Sequence, residues 1–199
     1  YAGDSSHSAG QSTVFSLMIT PLPLTVLVSP SSATYGEPIP TLRGTFDGIL
    51  PRDQALLSAT FTSAAAALSP AGTYPVAVTL TGAAAGNYTV AAAAPSFTIT
   101  PAPTRTTLTA TNATNTPIAA ANAGDQVILT AHVVSQTAGL PTGAVTIFDG
   151  ASIVTTGKVN ANADLVFTTT NFAAGSHSFT ASYLGDTNFI ASASSPASF

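Results

Sequence analysis

The chain of 199 residues has no cysteine and no tryptophan, and only 6% of its residues are charged. Without cysteine it forms neither disulfide bonds nor thiolate metal sites. With four lysine and arginine residues in all, it has no basic surface for binding nucleic acid. The net charge of −4 is too small to indicate a charged partner. Ordinary globular domains carry about 25% charged residues, so this surface is unusually neutral.

Long apolar stretches are also missing. The apolar runs are short and rich in alanine, and none approaches the roughly 20 residues of a membrane-spanning helix. No segment has the residue order of a signal peptide, so the signal of a secreted form is expected to lie outside this sequence. The chain does contain 53 serine and threonine residues and 37 alanines. This composition predicts a surface of small, hydroxyl-bearing side chains, and the length allows one or two packed domains.

The beginning of the chain repeats its end. The sequence YAGD at Tyr1–Asp4 corresponds to YLGD at Tyr183–Asp186, and six of the seventeen positions that overlap at this offset are identical. Self-similarity at a fixed spacing is typical of tandem arrays. We therefore expect this sequence to be a section of a longer repeat protein, with residues 1–20 as the C-terminal strands of a preceding repeat.

A Pro-x-Pro step follows an apolar strand at two places in the chain. Pro21 and Pro23 lie in ITPLP, and Pro101 and Pro103 lie in the similar sequence ITPAP. Proline fixes φ and has no amide proton, so it ends pairing within a sheet and holds a connector extended. These prolines predict two equivalent interdomain junctions. The junctions divide the chain into a tail of residues 1–20 and domains of residues 21–101 and 102–199.

The local pattern within both domains is that of short β-strands. Alternating or strand-favouring runs occupy residues 24–28, 74–80, 96–99, 126–134, 144–148, 164–169 and 176–183. Glycine-containing turn pairs follow at residues 47–48, 86–87, 149–150 and 185–186. This spacing predicts two β-sandwiches. The alanine runs are too short for stable helices, so at most one helical turn is expected, near Asp53–Leu57 or Ser63–Leu68.

Four aromatic residues on apolar strand faces of the second domain are predicted to fill one core: Phe148, Phe167, Phe179 and Tyr183. A core without cysteine and tryptophan lacks the disulfide and the tryptophan that hold antibody domains together. It depends instead on the burial of aliphatic and phenylalanine side chains, each worth roughly 1.5–3 kcal/mol.

Two motifs in the second domain carry a family resemblance. PTGAVTIFDG at Pro141–Gly150 resembles a strand and turn of the Ig-like repeats in large bacterial surface proteins. AGSHSFTASYLGDTNF at Ala174–Phe189 is similar to the closing segment of the same repeats. The two motifs occur in the order of that family, and the resemblance covers about residues 104–199.

The first domain resembles a different module, the MBG-type Ig-like domain. YGEPIPTL at Tyr35–Leu42 is similar to the opening of that family, and AGTYPV at Ala71–Val76 and GNYTV at Gly86–Val90 are similar to its later strands. This resemblance covers about residues 24–100. Together the two resemblances imply an all-β chain of two tandem Ig-like β-sandwich domains, plus a terminal strand fragment of a preceding repeat at residues 1–20.

Candidate sites for chemistry are few. His7, His132 and His177 are scattered, whereas a zinc site needs three or four converging ligands. The acidic residues form no D-x-D-x-D loop, so no cofactor is expected, and the one alternative is a Ca²⁺ ion at a domain junction. Asp4 and Asp186 follow glycine in the repeated turn and are interpreted as turn caps. No G-x-S-x-G motif occurs, and the resembling families lend no catalytic residues, so we expect no enzyme.

The expected function is structural: a stiff stalk or spacer of an extracellular, bacterial cell-surface protein that takes part in adhesion. Its expected partners are neighbouring Ig-like repeats of the same or of identical chains, and no membrane insertion is expected in this segment. One alternative is a filament subunit that donates a strand to an open sheet edge. The candidate donor segment, Thr13–Ile19, includes Thr13, Val14, Phe15, Leu17 and Ile19. A second alternative is a carbohydrate-binding accessory domain. Such a domain would need a surface cluster of tryptophan or tyrosine, and the tyrosines of this chain are scattered. A glycan or protein ligand is not identified by the sequence.

Overall fold

The computed structural model describes residues 1–91 and 95–198 and is all-β, as predicted. Its strands form two sandwiches, the first between residues 22 and 100 and the second between residues 104 and 198. In the described part of the chain, no helix is long and apolar enough to cross a membrane. Single turns of 3-10 helix occur at Pro51–Asp53 and Ala85–Asn87, so a helical turn forms just before Asp53–Leu57 and not at Ser63–Leu68.

The first sandwich has a three-stranded sheet in the order β3-β1-β6 and a four-stranded sheet in the order β2-β7-β5-β4. In β5, the alternate residues from Tyr74 to Leu80 face inward and their neighbours are exposed, which confirms the predicted alternation. The strands of this sandwich are β1 (Leu22–Ser29), β2 (Ser32–Thr34), β3 (Arg43–Asp47), β4 (Ser58–Ser63), β5 (Gly72–Thr81), β6 (Tyr88–Val90) and β7 (Ser96–Thr100).

The second sandwich pairs a sheet in the order β12-β9-β8 with a sheet in the order β11-β10-β13-β14, and β15 also pairs with β13. The turn at Asp149–Gly150 joins β10 to β11 as a hairpin, as its sequence predicts. The strands of this sandwich are β8 (Thr104–Thr111), β9 (Val127–Ser135), β10 (Ala144–Asp149), β11 (Ser152–Lys158), β12 (Asp164–Thr169), β13 (Ser178–Tyr183), β14 (Ser192–Ala193) and β15 (Ala197–Ser198).

The core of the second sandwich differs from the prediction at one aromatic residue. Phe179 and Tyr183 are fully buried in it, and Phe167 packs against it. Phe148 is half-buried and lies outside the cluster, because Val145 and Ile147 take the inward face of β10. Phe148 alternates with these two residues along β10 and therefore lies on the opposite face of the sheet.

The core of the first sandwich is split into two smaller clusters. One is centred on Leu24 and Tyr88, and the other on Phe97 and Ile99. Asp53, also buried, accepts a hydrogen bond from the Tyr88 hydroxyl at 2.7 Å. The carboxylate therefore has a partner at one end of the sandwich, as a buried charge requires.

Residues 1–20 contain no strand in this structure, and their assignment to the C-terminal strands of a preceding repeat stays a prediction. The first ten residues of this segment form a turn, which is closed by a hydrogen bond from the Gly10 N–H to the Tyr1 carbonyl at 3.2 Å. A strand needs a neighbouring strand to satisfy its backbone groups, and no described strand is hydrogen-bonded to this segment.

Candidate functional site

The connector between the two sandwiches is short and fixed. Pro101, Ala102 and Pro103 join β7 to β8. Ala102 is fully buried, its N–H donates to the Asn188 carbonyl at 2.8 Å, and its carbonyl accepts the Ile190 N–H at 2.9 Å. The prolines therefore flank a residue that is bonded into the second sandwich, rather than forming a free extended spacer.

The earlier Pro-x-Pro step has a different structure. Pro21 precedes β1, but Pro23 lies inside β1 and is paired in parallel with Thr89. Because β3 pairs only with Thr25–Ser29, β1 has a strand on one side only at Pro23, and proline is tolerated there. Pro23 is thus part of the first sandwich, and the two steps are not structurally equivalent.

The two sandwiches are in contact around Tyr35 and Phe189. Their rings pack edge to face, with centroids 5.2 Å apart and planes at 82°. The Thr137 hydroxyl donates to the Tyr35 carbonyl at 2.6 Å. The Ala71 N–H donates to the Asn188 side-chain oxygen at 2.9 Å. We call this contact the joint, and it comprises Tyr35, Gly36, Ala71, Thr137, Ala138, Gly139, Asn188 and Phe189.

Two glycines allow this close approach. Gly36 has φ +84°, and a Cβ atom there would overlap the backbone oxygen of Ala138 in the other sandwich. Gly139 has φ +103°, and a Cβ atom there would lie 2.8 Å from the Tyr35 ring. Both positions therefore need glycine for its backbone conformation and for its lack of a side chain.

A turn around Asp186 supports the second sandwich's side of the joint. The carboxylate accepts both the N–H and the hydroxyl of Thr142, at 3.0 and 2.9 Å. It also accepts the Tyr183 hydroxyl at 3.0 Å, and the N–H groups of Asn188 and Phe189 at 2.8 and 3.1 Å. The carboxylate thus accepts five hydrogen bonds, and two of them hold the backbone of the joint residues Asn188 and Phe189 in place. A Ca²⁺ ion at Asp186 would have to displace these donors, which favours the turn-cap interpretation.

The charge of Asp186 is stabilised by these donors. Burial disfavours the ionised carboxylate, but the hydrogen bonds from Thr142 and Asn188 outweigh it, and the pKa of Asp186 is lowered. Burial and the adjacent carboxylate raise the pKa of Tyr183 to about 12. The tyrosine therefore stays a hydrogen-bond donor and the aspartate stays an acceptor over the whole neutral range.

A second cluster, the His177 clamp, lies at the start of β13. The Nδ1 atom of His177 is 2.6 Å from an Asp149 carboxylate oxygen, and its Nε2 atom is 2.9 Å from the Ala173 carbonyl. Each ring nitrogen has one acceptor, and this arrangement favours the doubly protonated ring. The hydrogen bond to the Ala173 carbonyl, followed by that to Asp149, raises the pKa of His177. The ring also stacks on Phe179, with centroids 5.6 Å apart. The clamp thus ties residues 173–177 to the β10–β11 hairpin.

The clamp predicts a pH-dependent stability. Since the pKa of folded His177 is raised above 6.5, its contribution is complete below that pH and is lost as pH rises through the folded-state value. The substitution His177→Gln should therefore cost about 0.5–1 kcal/mol of unfolding free energy at mildly acidic pH and less at alkaline pH. Urea denaturation at both pH values measures this difference.

The control for that experiment is His132→Gln. The Nδ1 atom of His132 is also 2.6 Å from a carboxylate, that of Asp164, but 46% of its side chain is exposed. This control measures how much unfolding free energy is lost when an imidazole outside the clamp is removed. A cost of His177→Gln that is equal at the two pH values would contradict the clamp.

The remaining candidate sites do not come together. No three histidine or acidic side chains among the described residues form a group that could hold a metal. Tyr88 and Tyr183 are buried, and of the tyrosines only Tyr1 is largely exposed, so the described surface has no tyrosine cluster suited to a carbohydrate. The candidate donor segment Thr13–Ile19 is exposed and unpaired, with Val14 96% and Phe15 85% exposed.

Comparison with known proteins finds a family model that matches each sandwich. The family model of the MBG domain (YGX type) matches residues 24–98. The model of the bacterial Ig-like domain (group 3) matches residues 108–199. No curated protein and no solved structure matches the chain. The matches confirm the order expected from the sequence, an MBG-type domain followed by an Ig-like repeat domain.

Proposed function

Because residues 24–98 are an MBG domain and residues 108–199 are a bacterial Ig-like domain, we propose that this chain is a non-catalytic structural module of a large extracellular surface protein. Its specific role in this proposal is that of a stiff spacer in a tandem array that holds an adhesive part of the protein away from the cell. Its partners are then the neighbouring repeats.

The observation that carries this proposal is the joint. A flexible array needs no contact between consecutive domains, and domains joined by a free linker move independently. Here an edge-to-face aromatic pair and two hydrogen bonds join the two sandwiches, and the connector between them is itself hydrogen-bonded at Ala102. These contacts limit bending where two domains meet, and such limits add up along an array.

The surface composition supports the same role. Only 6% of the residues are charged, so nonspecific electrostatic attraction to nucleic acid or to charged surfaces is weak. Serine and threonine occupy many exposed strand positions, as in β4 and β5, where their small polar side chains suit a solvated sheet. A spacer with this surface has only weak nonspecific attraction to other molecules.

Distance measurement across the joint tests the spacer role. The chain has no cysteine, so Thr79→Cys in the first sandwich and Ser152→Cys in the second give one labelled pair at exposed sites. Spin labels at these positions should give a narrow distance distribution by pulsed electron paramagnetic resonance. A broad, multi-component distribution in the unaltered joint would remove the basis for a stiff spacer.

Substitution of the joint glycine should loosen this contact. Gly36→Ala places a methyl group against the backbone of Ala138, which cannot move aside as a side chain would, so the label distances should broaden. The matched control is Gly48→Ala, in the same sandwich, with φ +100° and no atom nearer than 3.4 Å to the added Cβ. Both variants should lose about 1–2 kcal/mol through backbone strain, but only Gly36→Ala should change the distances.

A filament is the second candidate function, and the exposed donor segment favours it. Val14, Phe15, Leu17, Met18 and Ile19 are consecutive or nearly so, and each is at least 75% exposed. Contiguous exposed apolar surface is uncommon on a monomer and is typical of interaction sites. Its β-favouring sequence suits addition to a sheet of another chain. Sedimentation of the full chain over a range of concentrations tests this candidate.

A further inference from the structure

The N-terminal turn of the chain has the same structure as the Asp186 turn. Tyr1 donates its hydroxyl to Asp4 at 2.5 Å, as Tyr183 does to Asp186 at 3.0 Å. Gly3 and Gly185 have φ values of +85° and +81°. The Asp4 N–H donates to the carbonyl three residues later at 2.9 Å, and the Asp186 N–H does so at 3.0 Å. The hydrogen bond from Tyr1 lowers the pKa of Asp4 to about 2.

This shared geometry establishes the correspondence between the two ends of the chain at the offset that takes Tyr1 to Tyr183. The N–H of Ser6 donates to Asp4 at 2.8 Å, and that of Asn188, its counterpart at this offset, donates to Asp186 at 2.8 Å. Carried further along the chain, the same offset aligns Ser12 with Ser194 and Ser16 with Ser198. The structure then shows where the aligned residues lie.

The residues at the C-terminal end lie along one edge of β13. Ser198 is paired antiparallel with Ser178, and Ala197 with Phe179. Ser194 is bonded to Ala181 twice, through its N–H to the Ala181 carbonyl and through its hydroxyl to the Ala181 N–H, both at 2.9 Å. The segment of residues 192–198, which contains β14 and β15, therefore completes the sheet of the second sandwich.

The sequence of the donor segment favours a β-strand at this position more than the sequence of the C-terminal residues that occupy it. At the aligned positions it has Val14 where the C-terminal strand has Pro196, and Phe15 where that strand has Ala197. Proline donates no ladder hydrogen bond, whereas valine and phenylalanine favour strands. β14 and β15 are accordingly only two residues each, separated by the stretch that contains the proline.

We propose that residues 12–16 of one copy of this chain add to β13 of a second copy, antiparallel and in place of residues 194–198. In this register Ser12 lies at Ala181, Phe15 at Phe179 and Ser16 at Ser178, with the same one-residue bulge that lies between Ser194 and Ala197 in the chain's own pairing. The inference rests on the filament candidate and adds to it the acceptor strand and the register. Repeated from copy to copy, this exchange joins chains head to tail with the period of the sequence repeat.

Disulfide trapping tests the register, since the chain contributes no cysteine of its own. Chains carrying Ser16→Cys are mixed with chains carrying Ser178→Cys under mild oxidation, so that any cross-link is intermolecular. Directly opposed residues of an antiparallel pair satisfy the Cα separation of about 4.4–6.8 Å that a disulfide requires. The cross-linked pair should form rapidly, and faster still when Ala197→Pro weakens the acceptor's own β15.

The matched control is Ser182→Cys on the same strand. It lies four residues from Ser178, or about 13 Å at the rise of a β-strand, and so should not react with Ser16→Cys. It should react with Gln11→Cys, which the register places opposite it. Equal cross-linking of Ser16→Cys to both positions, or none to Ser178→Cys even with Ala197→Pro present, would overturn the proposal.

Sedimentation of the unaltered chain separates this inference from the function on which it rests. Filaments together with cross-linking at Ser178 support both. Filaments without that cross-link retain the filament candidate and reject the acceptor strand. Cross-linked pairs without filaments show the strand exchange and reject the filament. The variant Phe15→Pro, which places proline at the donor position aligned with Ala197 and lies outside both sandwiches, should abolish the cross-link without changing the unfolding transition.

Discussion

Replacing Asp186 with alanine is expected to lower the unfolding free energy of the second sandwich by about 2–4 kcal/mol. The change removes a charged acceptor from five donors and leaves the hydroxyl of the fully buried Tyr183 without its carboxylate partner. A buried donor without an acceptor costs more than the lost hydrogen bond itself. Urea denaturation followed by circular dichroism measures the loss.

The chain contains its own control for this substitution. Asp4 caps a turn of the same geometry, but that turn is exposed and contacts no core, so Asp4→Ala should leave the unfolding free energy nearly unchanged. Asp186→Asn, which keeps one of the two acceptor oxygens and removes the charge, should be intermediate. Similar losses for Asp186→Ala and Asp4→Ala would contradict the supporting role of the Asp186 turn.

The sign of the pH dependence follows from the lowered pKa of Asp186. A carboxylate whose folded-state pKa lies below its ordinary value of 3.8 stabilises the fold above that value. The contribution is lost as the pH falls through the folded-state pKa. The difference between the unaltered chain and Asp186→Ala should therefore be constant at neutral pH and should shrink in strong acid.

The sequence alone was sufficient to predict strand positions where large apolar and polar residues alternate. The runs that became β5 and β13 show this alternation, those that became β9 and β12 are rich in strand-favouring residues, and the structure places each strand within two residues of the prediction. β8 gave no such signal, because threonine occupies most of its positions and one of its buried residues is Thr106. A buried threonine is indistinguishable from an exposed one in a hydrophobicity pattern, so strands of this kind escape detection.

The joint was not foreseen, although Tyr35 and Gly36 stand at the start of a recognised motif. Thr137 donates to Tyr35 from 102 positions away, and no sequence spacing encodes such a pair. The available signal was the combination of Gly36 and Gly139 with an adjacent aromatic residue, since glycine often marks close approach of two backbones. The prolines pointed to the connector at Ala102 but gave no indication that it is bonded in place.

The second large effect is expected at Phe189. Phe189→Ala should destabilise the second sandwich by about 3–5 kcal/mol, because it leaves a cavity where a ring only 3% exposed was packed. It also removes the aromatic partner of Tyr35, so the two sandwiches should unfold in more widely separated steps. Heat denaturation by calorimetry resolves the two transitions, and the label distances across the joint should broaden in the same variant.

The interaction across the joint is separable from the loss of core packing. Phe179→Ala removes a buried ring of the same size from the same sandwich and should reduce its stability without broadening the distances. A double-mutant cycle of Phe189→Ala with Tyr35→Ala should give a coupling of about 0.5–1.5 kcal/mol, as expected for an aromatic pair. If the losses of unfolding free energy were additive and the label distances unchanged, the contact between the two domains would not restrain their orientation. A measurable coupling makes the ring pair the structural basis of a stiff array, since each repeat then restrains the orientation of the next.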